Sequence, residues 1–429
     1  MLEKLFHLNK LNTSVKTEVL AGVTTFLTMS YIIFVNPALL SKTGMDASAV
    51  FVATCLASAI GSMAMGLIAN YPLALAPGMG INAFFTFGIV MGMGLSWQQG
   101  LGAVFISGIF FFSLSVTKVR ETLINSIPRT LKMGIAGGIG FFLAIIGLKT
   151  SGIVVDNPAT LVGLGNLKDP KVLLAVFGIL LTAGLYVRNI TGSVIISILI
   201  VTIISIATGL SEFNGVFAMP PSIAPTFMQL EIPDLFSAST LALVVSLLLL
   251  DLFDTSGTLI AATERAGLVD KNGKLPRLKQ TLLADSTSTM IGSVLGTSTV
   301  TTYMESMSGV SVGGRTGLTS VVVGVCFLLA LFLSPLAGTI PAYATAPALV
   351  FVACLMAPSF KDINWDDITD YAPSVITAII MPLTFSVVDG IGFGFISYTV
   401  IKLIAGRHKE VSLAMYILTT IFLMKYAFL

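Results

Sequence analysis

DLFDTSGTLIAATER, residues 251–265, and ADSTSTMIGSVLGTSTVTTYMESMSGVSVGGR, residues 284–315, decide how the rest of this chain is read. Two carboxylates, Asp254 and Glu305, stand in segments of apolar and small residues long enough to lie in a membrane. An ionisable group at that depth costs about 3 kcal/mol or more, so it marks a substrate or ion site. Around Glu305 the residues are Gly, Ser and Thr, which make poor helix but suit backbone bent around a small polar ligand.

The surrounding composition agrees with membrane depth. The 429 residues are 55% hydrophobic and 10% charged, with a mean hydropathy of +0.96; a soluble chain carries about 25% charged residues. A net charge of +2 argues against a nucleic-acid surface. Cys55, Cys326 and Cys354 each fall in apolar runs without metal-ligand spacing, which points to free thiols. His7 and His408 lie near the ends, so no histidine relay is expected in the interior. The first residues, MLEKLFHLNKLNTSVKTE, lack a cleavable apolar core and read as an amphipathic interfacial segment with Leu2, Phe6, Leu8 and Leu11 on one side.

Fourteen apolar stretches follow, from 18–41 to 388–406, with an apolar tail at 411–428 that either crosses again or lies in the interface. The third is 72–90, the eighth 236–262, the ninth 281–297 and the tenth 298–313. A cytoplasmic N-terminus puts Lys118, Arg120, Arg129, Lys132, Arg265, Lys271, Lys274, Arg315, Arg407 and Lys409 inside. The opposite loops then hold mainly Lys42, Lys149, Lys168 and Lys171, as the positive-inside rule requires. The proline-rich connector 210–235 separates seven spans (1–209) from seven more (236–406), leaving 407–429 as a tail. An odd-numbered repeat inserts with inverted topology, and short, glycine-interrupted third and tenth spans at matching positions point to a transporter site.

In the third span Pro77, Gly78 and Gly80 break the helix, with Asn82, Phe84, Phe85 and Phe87 following. This reads either as half-extended backbone facing a ligand with a ring for stacking, or as a kinked, packed helix. In the eighth, Asp251 and Asp254 share a helix face. Both are not comfortably ionised in a dry interior, so one faces water or hydroxyls, or the two form a helix–helix clasp. Asp251 is the structural candidate; Asp254, beside Thr255, Ser256 and Thr258, is the functional one. Glu305 is suited to accept N–H donors from a planar heterocycle, with Tyr303 nearby; alternatively it locks its Ser/Thr neighbours. Thr297, Ser298 and Thr299 read as an N-cap and packing surface. Asn36-Pro37 reads as a break in the first span that turns Phe34 inward. Asp285 and Asp389 read as structural or interfacial, and DINWDDITD, 362–370, as a solvated turn.

APGMGINAFF, DLFDTSGTLIA, LLADSTSTMIGSVLGTSTVTTYMES and the SGV and VGGRTG segments resemble signatures of the nucleobase–cation symporter-2 family. Nearest is its adenine–guanine–hypoxanthine branch, and within that the bacterial guanine/hypoxanthine permeases. The resemblance runs from TEVLAGVTTFLTMSYIIFVNPALL to Lys409. It implies an all-α polytopic membrane fold of fourteen spans in two inverted seven-span repeats, with short strands in spans 3 and 10. A core domain (18–117 with 236–338) then carries substrate past a gate domain (130–209 with 341–406), through which relatives often dimerise. Carried over by position, the acidic ligands fall on Asp254 and Glu305. Uracil permeases have a glutamate and, four residues on, a histidine where this chain has Asp254 and Thr258. Their first-span histidine aligns with Phe34, which suits purine stacking.

The expected function is proton-coupled import of purine nucleobases, guanine or hypoxanthine first, across a bacterial-type plasma membrane. Glu305 is the principal base ligand and Asp254 the coupled group, with Phe34, Phe84, Tyr303, Thr258, Gly80 and Asn82 completing the site. No cofactor or metal is expected; the proton is the coupling ion, with sodium as the alternative. An adenine-selective permease and an anion carrier of the same seven-plus-seven architecture are the other readings. The acidic centre counts against the anion carrier, and the lack of a nucleophile–base pair at depth counts against an enzyme.

Overall fold

The computed structural model describes residues 2–117, 127–234, 237–265, 268 and 277–427. Lys118, Arg120, Lys271 and Lys274 of the charge argument lie outside them. A short turn α1 (Leu2–Phe6) leads into α2 (Val15–Met29), capped by the Ser14 hydroxyl. Phe6 and Leu8 are buried against Leu318, and the Asn70 amide donates to the Phe6 carbonyl. The amphipathic start therefore docks on the protein. The first span breaks at Ser30–Tyr31 and resumes as α3 (Ile32–Leu40). Asn36-Pro37 was the expected break; the helix instead runs through Pro37, and the interruption falls where Tyr31 reaches across to the tenth segment.

The first half continues with α4 (Ala47–Ala64), β1 (Leu75–Pro77), α5 (Met79–Ala83), which widens into π-helical turns over Phe84–Gly92, and α6 (Trp97–Val116). Then come α7 (Arg129–Thr150), β2 (Val154–Asn157), β3 (Leu161–Leu164), α8 (Pro170–Val187) and α9 (Ser193–Ala207). The second half holds α10 (Ala238–Arg265), α11 (Leu278–Leu295), β4 (Val300–Thr302), α12 (Ser306–Ser311), α13 (Gly317–Ala330) and α14 (Ser334–Thr339). It closes with α15 (Ala342–Met356), α16 (Ile368–Thr384), α17 (Val387–Ile404) and α18 (Leu413–Ala427). Eight helical stretches among the described residues are long and apolar enough to cross a membrane. The shorter apolar helices, α11 and the two strand-bearing segments complete a mostly helical architecture with fourteen spans ahead of the α18 tail. The polar segment 150–171 contains a hairpin, β2 against β3, turned by the Asn157 side chain accepting from Ala159 and Thr160 N–H.

Helices pack in two sets. α2, α4, α6, α10, α11, α12 and α13 surround the β1–β4 pair, whereas α7, α8, α9, α15, α16 and α17 pack on one another. Within the first set the buried Glu18 carboxylate accepts from the N–H groups of Arg315, Thr316 and Thr319 and from the Thr319 hydroxyl, at 2.6–3.3 Å. That satisfies orphan donors at the start of α13 with a favourably signed charge. Gly317 backs directly onto Gly66, where any Cβ would overlap backbone.

In the second set the 362–370 segment is more than a solvated turn. Its Asp370 bonds the buried Lys402 ammonium at 2.8 Å, Glu410 bonds the same group at 2.6 Å, Asp362 pairs with Arg129, and Asp367 pairs with Arg407. Thr369 and Arg407 hold the Asp367 carboxylate down at about 2, against an ordinary value of about 3.9. Because the folded value is the lower one, this contribution is complete above about pH 4 and fades only as pH falls towards 2. It is silent across the neutral range.

The apolar tail is resolved by its pairing. α18 runs antiparallel along α17: Thr419 bonds Thr399, Phe422 packs edge-on to Phe395 at 5.8 Å, and Lys425 reaches Asp389 at 2.5 Å with Tyr426 beside it. Asp389 is thus the structural pair expected, and the tail returns to the level at which α17 began. An epitope placed after Ala427 should therefore label from the membrane face opposite to one placed before Leu2. Labelling of both from the same face of intact cells would show that α18 does not cross.

Candidate functional site

β1 and β4 meet antiparallel, Leu75 opposite Thr302, Ala76 opposite Thr301 and Pro77 opposite Val300. Pro77 and Gly78 forbid helix on one side, and the β-branched run Val300–Thr302 favours extended chain on the other. The pairing continues at both ends, Gly78 N–H to the Thr299 carbonyl and Tyr303 N–H to that of Ala74, each at 3.0 Å. Hydroxyls serve the remaining groups: Leu75 N–H donates to Ser62 Oγ and Ala74 N–H to Ser306 Oγ. Extended backbone at membrane depth is tolerated only when satisfied in this way. Each strand is followed by a short helix, α5 and α12.

Two hydroxyl–carboxylate ties hold β4 to its neighbours. Thr255 donates to Asp285 Oδ2 at 2.6 Å and lies 3.0 Å from Thr301 Oγ1, joining α10, α11 and β4. Thr289 donates to the Val300 carbonyl at 2.9 Å and contacts Asp251 Oδ2 at 3.3 Å. Asp251 and Asp285, both buried, are structural, as their surroundings in the sequence suggested.

Asp254 and Glu305 differ from these. Although Asp254 sits midway along the 28-residue α10, its side chain is accessible, and Glu305 at the start of α12 is half-buried. The two charges act on each other, with Tyr31 and Tyr303 beside both. Thr301 lies against Asp254, and a Cβ on Gly78 would come within 3.6 Å of Asp254 Oδ2. The arrangement is a pair of carboxylates at the strand crossing that act on each other, open to water and able to accept N–H donors.

The other expected residues take varied places. Tyr303 donates its hydroxyl to the Pro77 carbonyl at 2.5 Å, and Asn82 Nδ2 donates to the same oxygen at 3.2 Å. Asn82 Oδ1 accepts from the Ser298 hydroxyl. Both side chains thus pin the end of β1. Gly80 lies against Ile139 of α7, where the strand-bearing segment touches the second helix set. Phe34, Phe84 and Thr258 are buried. Thr297–Thr299 form no N-cap: they lead into β4, with Thr297 Oγ1 accepting from the Asn36 amide at 2.9 Å. Sequence reasoning missed Tyr31, whose hydroxyl donates to Glu305 Oε1 at 2.5 Å. A tyrosine inside an apolar span carries a polar tip that needs a partner, which was the available signal. An apolar groove of about 320 Å³ lined by Phe105, Phe227, Met290 and Ile291 holds no charged group and lies apart from this site.

The sequence profile of the Permease family matches residues 16–393. The chain belongs to the nucleobase–cation symporter-2 family of permeases. It is 53% identical to a putative permease of Methanocaldococcus jannaschii, covering 100% of this chain and 98% of that one. It is 49% identical to the adenine permease AdeP of Escherichia coli (100% and 96% covered). Against the guanine/hypoxanthine permease PbuG of Bacillus subtilis it is 45% identical, with both chains fully covered. Among solved structures the transmembrane domain of the cyanobacterial bicarbonate transporter BicA superposes with a TM-score of 0.65, covering 88% of this chain and 97% of that one at 17% identity. That likeness concerns the fold. This permease is thus a multi-pass membrane transporter and not an enzyme.

Because Tyr303 and Asn82 share the Pro77 carbonyl, either alone keeps that buried acceptor paired. Tyr303→Phe should cost about 1 kcal/mol and Asn82→Ala more, since it also frees the buried Ser298 hydroxyl; the double variant should lose more than the sum, since an unpaired buried carbonyl costs about 1–3 kcal/mol. Thermal unfolding in detergent checks this; strict additivity would mean the two bonds do not back each other up.

Proposed function

We propose that this permease imports purine nucleobases by proton symport, guanine and hypoxanthine first, across a plasma membrane with its N-terminus cytoplasmic. The observation that carries the reading is the pair of carboxylates, Asp254 accessible and Glu305 half-buried, at the β1–β4 crossing. Glu305 accepts the ring N–H groups; Asp254 takes a proton on the outer side and gives it up on the inner. Binding of proton and base at one crossing makes each favour the other. The helix set around the strands (18–117 with 236–338) then moves against the second set (130–209 with 341–406). Family relatives with purine names support the substrate class. An anion would meet two carboxylates at the centre, which opposes it electrostatically.

Adenine is the second reading, favoured by the 49% identity to an adenine permease. The bases differ at the edge Glu305 would meet: guanine offers N1–H and N2–H together, hypoxanthine N1–H alone, and adenine an amino donor beside an acceptor nitrogen. An ionised carboxylate fits the first two, and only a protonated one fits the adenine edge.

The test is uptake of radiolabelled guanine, hypoxanthine and adenine in cells lacking their own purine permeases, with and without protonophore. Wild-type uptake should be protonophore-sensitive, and Asp254→Asn and Glu305→Gln should each lose at least about tenfold, the worth of a hydrogen bond to a charged group. Uptake that ignores the protonophore removes proton coupling. Uptake intact in Glu305→Gln moves the base site elsewhere.

A further inference from the structure

Tyr31 belongs to neither strand nor to the acidic helix segments, yet its hydroxyl donates to the Glu305 carboxylate across 274 residues of chain, at 2.5 Å. Its position is set by the break in the first span. Tyr31 stands between α2 and α3, and its carbonyl accepts the Phe34 and Val35 N–H groups that restart the helix. Those bonds fix the backbone from which the ring projects. One turn earlier the Thr28 hydroxyl lies 3.5 Å from the Glu305 carbonyl, at the edge of hydrogen-bonding range, so the first span approaches Glu305 at main chain and side chain alike. Tyr31 is 1% exposed whereas Glu305 is half-buried. The Oε1 side of the carboxylate is therefore packed against the buried phenol. Tyr303 is no substitute, because its hydroxyl is engaged by Pro77.

We infer that Tyr31 is a specificity-setting positioning residue: it turns the Glu305 carboxylate so that Oε2 meets the base while Oε1 is engaged by the phenol. This rests on Glu305 being the base ligand. A carboxylate with both oxygens facing the ligand rewards two adjacent N–H donors, as guanine presents, over the single donor of hypoxanthine. With the phenol on one of its two lone pairs, Oε1 takes a further donor only from beside the Tyr31 ring, which weakens the second guanine bond and makes the site treat the two bases more evenly. A phenylalanine at this position keeps the ring and its packing, removes only the hydroxyl, and releases Oε1.

The experiment compares KM values for guanine and hypoxanthine uptake in wild type, Tyr31→Phe and Glu305→Gln, with protein levels and thermal unfolding recorded for each. Tyr31→Phe should shift the KM ratio towards guanine by about tenfold, the worth of a hydrogen bond to a charged group, while the protein stays folded and abundant. A change of both KM values by one factor, or no change, would reduce the bond to a tie between the first and tenth segments and overturn the inference. The underlying reading fails differently: wild type importing neither base removes guanine and hypoxanthine as substrates, and Glu305→Gln keeping the wild-type KM values removes Glu305 as ligand. Uptake that depends on Glu305 with an unaltered ratio in Tyr31→Phe sinks the Tyr31 inference alone.

Discussion

A three-residue antiparallel pairing inside the membrane is the constraint on which the rest of this permease depends. Backbone N–H and C=O groups in a hydrocarbon environment must be satisfied within the protein, and six residues in extended conformation cannot satisfy themselves. β1 and β4 do so only together, each supplying what the other lacks. The halves of the chain, more than two hundred residues apart, are thereby fastened at one point. The hydroxyls of Ser62 and Ser306 take up the groups that the strands leave over.

The same polar economy separates fully buried carboxylates from those that keep accessible surface. Asp251, Asp285 and Glu18 are buried, and hydroxyls or main-chain donors occupy them. Asp254 and Glu305 keep accessible surface at the crossing. A buried carboxylate with its donors in place fixes geometry, whereas one that faces water retains acceptor capacity for a ligand. Four acidic residues on α10, on α11 and at the start of α12 thus occupy two different environments around one crossing.

Around the crossing the helices fall into two packed sets, and contact between the sets is comparatively sparse. Gly80 against Ile139 is one such point, with the absence of a side chain allowing close approach beside the site. The second set carries its own ion pairs around Lys402 and Asp367, at its ends and away from the carboxylates. α18 lies along α17 and also touches α10, so the tail joins the helix bearing Asp254 to the second set.

Hydropathy and charge placement by themselves established a polytopic membrane protein, and acidic residues in small-residue segments marked Asp254 and Glu305. Both are local properties: transfer cost depends on composition, and Pro77, Gly78 and the Thr-rich run block helix wherever they stand. The family motifs likewise lie in continuous stretches. Tertiary structure decided what depends on distant partners. Tyr31 carries no local mark distinguishing it from a packed tyrosine until Glu305 is seen opposite its hydroxyl. Only the fold shows that Tyr303 and Asn82 bond Pro77 and Ser298 beside the crossing. The first-span break moved from Asn36-Pro37 to Ser30–Tyr31, and the tail's course followed from Asp389 and Lys425. A hydrogen bond is made by whichever donor and acceptor the fold brings within about 3 Å of each other, and sequence order does not encode that separation.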